Sequence, residues 1–131
     1  MYEYALYHKP ETEYSYAKSE NVMAIRLRAA KEDVLTVHII YGGKYSYAQQ
    51  RFRAKMPLAY SDRLYNYYAV DLTLDDTRLV YVFEIQEGEK TYYFSEDGLT
   101  ENYDFTLNFY NAFQFAYINS ADIHRDIAWL R

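Results

Sequence analysis

Apolar and polar positions alternate with period two along most of the chain, the pattern of strands that bury one face. Met23, Ile25 and Leu27 alternate with Arg26 and Arg28. Leu35, Val37, Ile39 and Tyr41 alternate with Thr36 and His38, and Tyr68, Val70 and Leu72 with Ala69 and Asp71. Leu79, Tyr81, Phe83 and Ile85 alternate with Val80, Val82 and Glu84. The segments from Lys90 to Phe94 and from Phe109 to Ile118 are aromatic and strand-prone. Turn residues separate these runs. Lys31-Glu32-Asp33 parts two of them, Gly42-Gly43 ends another and opens a loop, and Asp75-Asp76 and Glu96-Asp97-Gly98 mark two more turns. Gln86-Glu87-Gly88-Glu89 predicts a hairpin, with Gly88 free to take a positive φ. Short strands at this spacing predict an all-β fold, an antiparallel sandwich of seven or eight strands.

The C-terminal stretch changes character. Ser120 is placed as a helix N-cap with Asp122 in the first turn, and Ile123, Ile127 and Leu130 recur at helical spacing. The chain therefore divides into a sandwich over residues 1–118 and a short helix or linker over 119–131. The stop two residues after Trp129 reads as a cut at a domain boundary.

Composition narrows the partners. Of 131 residues half are hydrophobic, and 18 are tyrosines, which suit a pleated, half-buried surface. The net charge of −5 is spread without long runs, which argues against nucleic acid and against an anionic membrane. No apolar run approaches the ~18 residues of a membrane-spanning helix, and no secretory leader opens the chain. A cytoplasmic location follows as the expectation. With no cysteine, disulfides and thiolate metal sites are excluded.

The chain carries no recognisable catalytic signature. His8, His38 and His124 lack metal-ligand spacing, no serine sits in a nucleophile elbow, and no phosphate-binding glycine loop or cofactor motif is present. The acidic residues around Glu96-Asp97 are compatible with a calcium ion and equally with a solvated turn. Asp62, Asp71, Asp75, Asp76, Glu84, Glu87, Glu89, Glu96, Asp97 and Asp104 offer many pairs to a glycosidase mechanism, which needs two carboxyls across a cleft. Most lie in turns or on solvent-facing strand positions, where acids are expected anyway. Tyrosine instead supplies what a sugar site needs, a flat apolar face with a polar rim.

Several stretches, in order, resemble a known family. They are Ala5-Leu6-Tyr7-His8-Lys9-Pro10, Tyr14-Ser15-Tyr16-Ala17, Ile25-Arg26-Leu27-Arg28, Tyr41-Gly42-Gly43-Lys44-Tyr45-Ser46-Tyr47, Met56-Pro57-Leu58, Leu79 to Phe83, Tyr92-Tyr93-Phe94 and Trp129. Their order and spacing are similar to the N-terminal β-sandwich module, the family-34 carbohydrate-binding module, of neopullulanases, cyclomaltodextrinases and maltogenic amylases in the α-amylase superfamily. Where the family often carries Gly-Asp-Pro-Tyr, this chain has Gly42-Gly43-Lys44-Tyr45, and Tyr47 replaces a tryptophan.

The resemblance implies an immunoglobulin-like sandwich that is the non-catalytic front end of an α-glucan hydrolase. The catalytic barrel, acting on α-1,4 and α-1,6 bonds, would lie beyond this chain. The implied partners are an α-glucan or cyclodextrin, that barrel, and a second subunit in a homodimer. The implied site, carbohydrate-binding or partner-facing, is Lys44, Tyr45, Tyr47 and Phe52, with Tyr45 and Tyr47 projecting from the loop. Tyr60, Tyr65 and Tyr67 form a second candidate set. Two alternatives stand beside this reading: a purely structural dimerisation domain that binds no sugar, and a small stand-alone enzyme on a β-sandwich.

Overall fold

The structure, a computed structural model, describes residues 1–19, 22–44, 46–73, 78–105 and 112–116, without the side chains of 115 and 116. It contains ten strands among the described residues, β1 (Ser15–Ser19), β2 (Val22–Ala30), β3 (Thr36–Gly43), β4 (Phe52–Lys55), β5 (Leu58–Ser61), β6 (Tyr65–Thr73), β7 (Arg78–Glu87), β8 (Lys90–Ser95), β9 (Gly98–Thr100) and β10 (Phe113–Ala116). The expected seven or eight are joined by short pieces such as the three-residue β9. The helix or linker expected over 119–131 and the turn at Asp75-Asp76 lie outside the described residues.

Two antiparallel sheets form the sandwich. The four-stranded sheet has the order β1-β2-β6-β5, and the larger has β4-β3-β7-β8-β9. β10 pairs with the first part of β7, Phe113 opposite Tyr81 and Ala116 opposite Arg78. β8 pairs with the rest of β7, from Phe83 to Glu87. The turn joining β7 and β8 holds Gly88 at φ 61°, a left-handed conformation that costs glycine nothing.

The alternation sets the register, because a slip by one residue would move every apolar side chain to the wrong face. Met23, Ile25, Leu27 and Ala29 on β2 face inward against Val37 and Ile39 on β3 and Leu79, Tyr81, Phe83 and Ile85 on β7. Leu27, Ile39 and Phe83 are fully enclosed. His8 ties the two sheets together. Its Nδ1 lies 2.7 Å from the carbonyl of Arg26 on β2, and its Nε2 lies 2.5 Å from the hydroxyl of Tyr81 on β7. A carbonyl only accepts, so Nδ1 carries the proton and Nε2 accepts from Tyr81. Ser15 Oγ is 3.1 Å further along this chain of polar groups. Burial holds the His8 pKa down to about 4, against the opposing pull of the Arg26 carbonyl.

β7 departs from simple alternation. Val80 and Val82 point away from the inter-sheet core and are nevertheless buried. A second apolar cluster covers them, built from Ile40, Tyr47 and Ala112 with Tyr93, Tyr103 and Phe105 packed against it. The larger sheet is thus buried on its outer face as well around Ile40, Val80 and Val82, under Tyr47 from the loop after β3 and under Tyr103, Phe105 and Ala112 from the segment after β9. Among the described residues no helix is long and apolar enough to cross a membrane.

Candidate functional site

The segment after β3 folds back over the outer face of the larger sheet. Lys44 N donates to the carbonyl of Arg78, and Ser46 N to that of Gly43. Gln49 N and Gln50 N both donate to the carbonyl of Ser46, which closes the turn. Gly42 makes room for it. A Cβ at that position would stand 3.0 Å from the carbonyl oxygen of Gln50, so a larger residue requires the loop backbone to give by a few tenths of an ångström.

Closing the loop in this way drives Tyr47 inward. Its ring is 0% exposed, which corrects the expectation that it projects to solvent. The reason is the pair of valines on β7, which need an apolar cover. Tyr47 stands edge-on to Phe105, ring centroids 6.2 Å apart, and its hydroxyl finds no partner among the described residues. Burial pushes its pKa well above the ordinary phenol value. Tyr45 lies outside the described residues. Lys44 is half-buried at the start of the loop. Phe52, 45% exposed, is tilted against Tyr41, with ring centroids 5.6 Å apart and the planes at 37°. Its register opposite Tyr41 puts it on the inner side of β4, so it does not share the loop's face. The three of the four predicted residues that are described, Lys44, Tyr47 and Phe52, do not share one surface.

A different group does converge. Arg51, Tyr93, Glu101, Asn102, Tyr103, Asp104 and Phe105 line an open groove of about 730 Å³ on the outer face of the larger sheet. Its floor is aromatic, with Tyr103 and Phe105 4.9 Å apart and Tyr93 tilted against Tyr103 at 5.9 Å. Arg51 is pinned at one wall. Its Nη1 donates to the carbonyls of Tyr47 and Ala48 at 2.9 Å each, and its guanidinium lies 4.8 Å from the Phe105 centroid. Next to the groove Tyr93 donates to Glu84, whose other oxygen takes Arg53 at 2.7 Å. Tyr93 is held above its usual pKa, chiefly by burial and then by the Glu84 charge. Aromatic rings rimmed by a guanidinium, an amide and carboxylates suit a neutral polyhydroxylated ligand, whose C–H faces and hydroxyls they match separately. Among the described residues no three His, Cys, Asp or Glu side chains are grouped to hold a metal ion.

Sequence reading missed this groove because its residues come from three separated segments. The signal it overlooked is the unbroken apolar run Leu79 to Phe83, which marks a strand covered on both faces. The second candidate set does share a surface. Tyr60, Tyr65 and Tyr67 lie on the outer face of the four-stranded sheet, with Tyr60 stacked on Tyr67 at 4.5 Å.

Residues 1–119 match the family model described as the alpha amylase N-terminal Ig-like domain. The chain belongs to this family. Similar curated proteins include a maltogenic alpha-amylase of Bacillus acidopullulyticus, 30% identical over all of this chain and 23% of that protein. A cyclomaltodextrinase of a Bacillus species is 29% identical, again over all of this chain and 23% of its own length. Neopullulanase 2 of Thermoactinomyces vulgaris is 28% identical over 97% of this chain and 21% of its own. Among solved structures a cyclomaltodextrinase superposes with a TM-score of 0.84 at 26% identity, over 93% of this chain and 21% of that one. A carbohydrate-binding module of the muscle glycogen-targeting subunit of protein phosphatase-1 shares the fold at a TM-score of 0.50 and 12% identity, over 67% of each chain. The chain thus spans 21–23% of these relatives' length.

Proposed function

We propose that the chain is the non-catalytic N-terminal module of an enzyme that hydrolyses α-glucans, like the maltogenic amylases and cyclomaltodextrinases it is similar to. Its part is to bind oligosaccharide and to help subunits associate. The observation that carries sugar binding is the aromatic groove, where Tyr93, Tyr103 and Phe105 are set between Arg51 and the polar side chains of Asn102 and Asp104. Such a floor stacks on a pyranose ring while the rim takes its hydroxyls. Lys44 opens the loop that folds over this same sheet and stays in the proposed site, as does Tyr45 on the family resemblance alone. Phe52 and the enclosed Tyr47 have no place in the groove. A cytoplasmic location remains our reading, in keeping with a Bacillus subtilis relative named intracellular maltogenic amylase, 22% identical.

Calorimetric titration of this chain with maltotriose and β-cyclodextrin tests the reading. Tyr103→Ala is expected to weaken binding about fivefold, since one aromatic face contact is worth about 1 kcal/mol. Wild-type protein that binds neither sugar, or a variant that binds as well as wild type, overturns the groove assignment.

A further inference from the structure

On the outer face of the four-stranded sheet, two half-buried guanidinium groups are held in place by rings. Arg28 is set between two tyrosines, its Cζ 4.1 Å from the Tyr65 centroid and 5.1 Å from that of Tyr7. Arg26 Cζ lies 5.4 Å from the Tyr60 centroid, and Tyr60 stacks on Tyr67 at an interplanar angle of 15°. Register explains the grouping. Arg28 is opposite Tyr67 on β6, and Tyr67 is opposite Tyr60 on β5. Arg26, two residues before Arg28 on the same face and about 7 Å from it along the strand, is opposite Ala69. The methyl group of Ala69 lets the Arg26 side chain cross β6 to reach Tyr60.

The donors of these two groups are mostly unspent. A guanidinium carries five N–H donors and no acceptor. Arg28 uses Nε on the carbonyl of Ala5 at 3.1 Å, and among the described residues Arg26 donates to no acceptor. Neither makes an ion pair among those residues. The acids of β6 and of the β5–β6 turn are already engaged. Asp71 pairs with Lys18 at 2.9 Å, and Asp62 accepts from the backbone of Leu64 and Tyr65 and from the Tyr67 hydroxyl. In a chain of net charge −5, this face therefore concentrates positive charge that lacks an oxyanion. A carboxylate has two oxygens and is filled by one guanidinium fork. A phosphate monoester has three free oxygens and spreads over two. The tyrosine hydroxyls around the pair match the hydroxyls of the body that carries the phosphate.

We propose that this face is an anion site for a phosphorylated sugar, which Arg26 and Arg28 hold by its phosphate and the surrounding tyrosines by its hydroxyls. The site differs from the groove in sheet, in charge and in recognising the ligand through guanidinium groups instead of open ring faces. The proposal needs no part of the groove. Where the chain is the module of a glucan hydrolase, the face lets the enzyme sense a phosphorylated sugar separately from its polymer substrate.

Titration of this chain with glucose 6-phosphate, inorganic phosphate and glucose, read by calorimetry and by amide shifts in heteronuclear NMR spectra, tests this. Glucose 6-phosphate is expected to bind about tenfold more tightly than either of the others, with shifts confined to β2, β5 and β6. The double variant Arg26→Gln/Arg28→Gln is expected to lose about tenfold in that affinity, and rising salt to weaken it in the wild type. Absence of saturable glucose 6-phosphate binding overturns the proposal. Equal binding of inorganic phosphate reduces the face to a bare-anion site and equal binding of glucose to a sugar surface, and either result overturns it. A double variant that melts like wild type and binds equally well also overturns it. If the double variant does not fold, Arg26→Gln, which removes no hydrogen bond among the described residues, takes its place under the same criterion. Tyr103→Ala is expected to bind glucose 6-phosphate like wild type, so this proposal and the sugar groove fail separately.

Discussion

The two outer faces of this sandwich are made from the same residue types and treated oppositely. On the four-stranded sheet, outward positions of β2 and β6 carry Arg26, Arg28, Tyr65 and Tyr67, which stay half-exposed, packed on one another, Tyr7 and Tyr60. On the larger sheet, outward positions of β3 and β7 carry Ile40, Val80 and Val82, and the chain folds back over them. Arginine and tyrosine keep a polar end in water while burying their stems and rings, so a face built from them tolerates solvent. Valine and isoleucine have no polar end, and leaving them exposed forfeits the burial that drives folding. What covers them becomes fixed, and that cover brings Tyr93, Tyr103 and Phe105 together as a groove. Covering one face creates the aromatic groove, while the other keeps its arginines and tyrosines in reach of solvent.

The sharpest way to break the comparison is to empty the covered face. Tyr47→Ala removes a ring that is wholly enclosed and is expected to cost about 3–5 kcal/mol, as other buried aromatic truncations do. Tyr47→Phe, which deletes only a buried hydroxyl without a partner among the described residues, should leave stability unchanged or slightly higher. Chemical denaturation of the three proteins measures both. A Tyr47→Ala variant as stable as wild type would mean the second cluster is not a core.

The next effect concerns His8, which joins the two sheets beneath both faces. Its folded pKa of about 4 lies below the unfolded value near 6.5, so as pH falls the unfolded chain takes up the proton first. The contribution is fully present above about pH 6.5 and is lost as pH drops through about 4, to the extent of about 3 kcal/mol. Melts of wild type and His8→Gln from pH 7 to 4 should converge as this term disappears from the wild type alone. Parallel curves would contradict the assignment.

The smallest expected change is on the open face. Tyr60 is 47% exposed, and Tyr60→Ala loses one stacked ring and one cation contact. The cost should stay under about 1 kcal/mol in the isolated chain. A loss as large as that of Tyr47→Ala would erase the distinction between the two faces.

Much of the fold was legible in advance. The alternation at Met23 to Leu27, Val37 to Ile39 and Tyr68 to Leu72 marked the core-facing side of β2, β3 and β6. Gly88 marked its hairpin, because only a residue without Cβ takes φ 61° freely. The resemblance of the opening segments and of Leu79 to Phe83 to an α-amylase N-terminal module agrees with the family to which the chain belongs. The candidate site was legible only in part. Tyrosine suits a sugar site by its flat face and polar rim, but which tyrosines share a surface depends on contacts between residues distant in sequence. Tyr47 follows two glycines and reads as a loop residue, which it is, yet the loop turns its ring inward.

The sequence by itself determined which residues alternate, where the chain turns, and that two sheets must face one another, since each strand with one apolar side needs a partner for it. Those properties are local, with a period of two residues. Only the tertiary structure decided which outer face would be covered and by what. Tyr47, Arg51 and Phe105 meet because the loop after β3 and the segment after β9 lie over the same two valines. No local period records that encounter, which depends on apolar area and on the 3.0 Å clearance at one glycine.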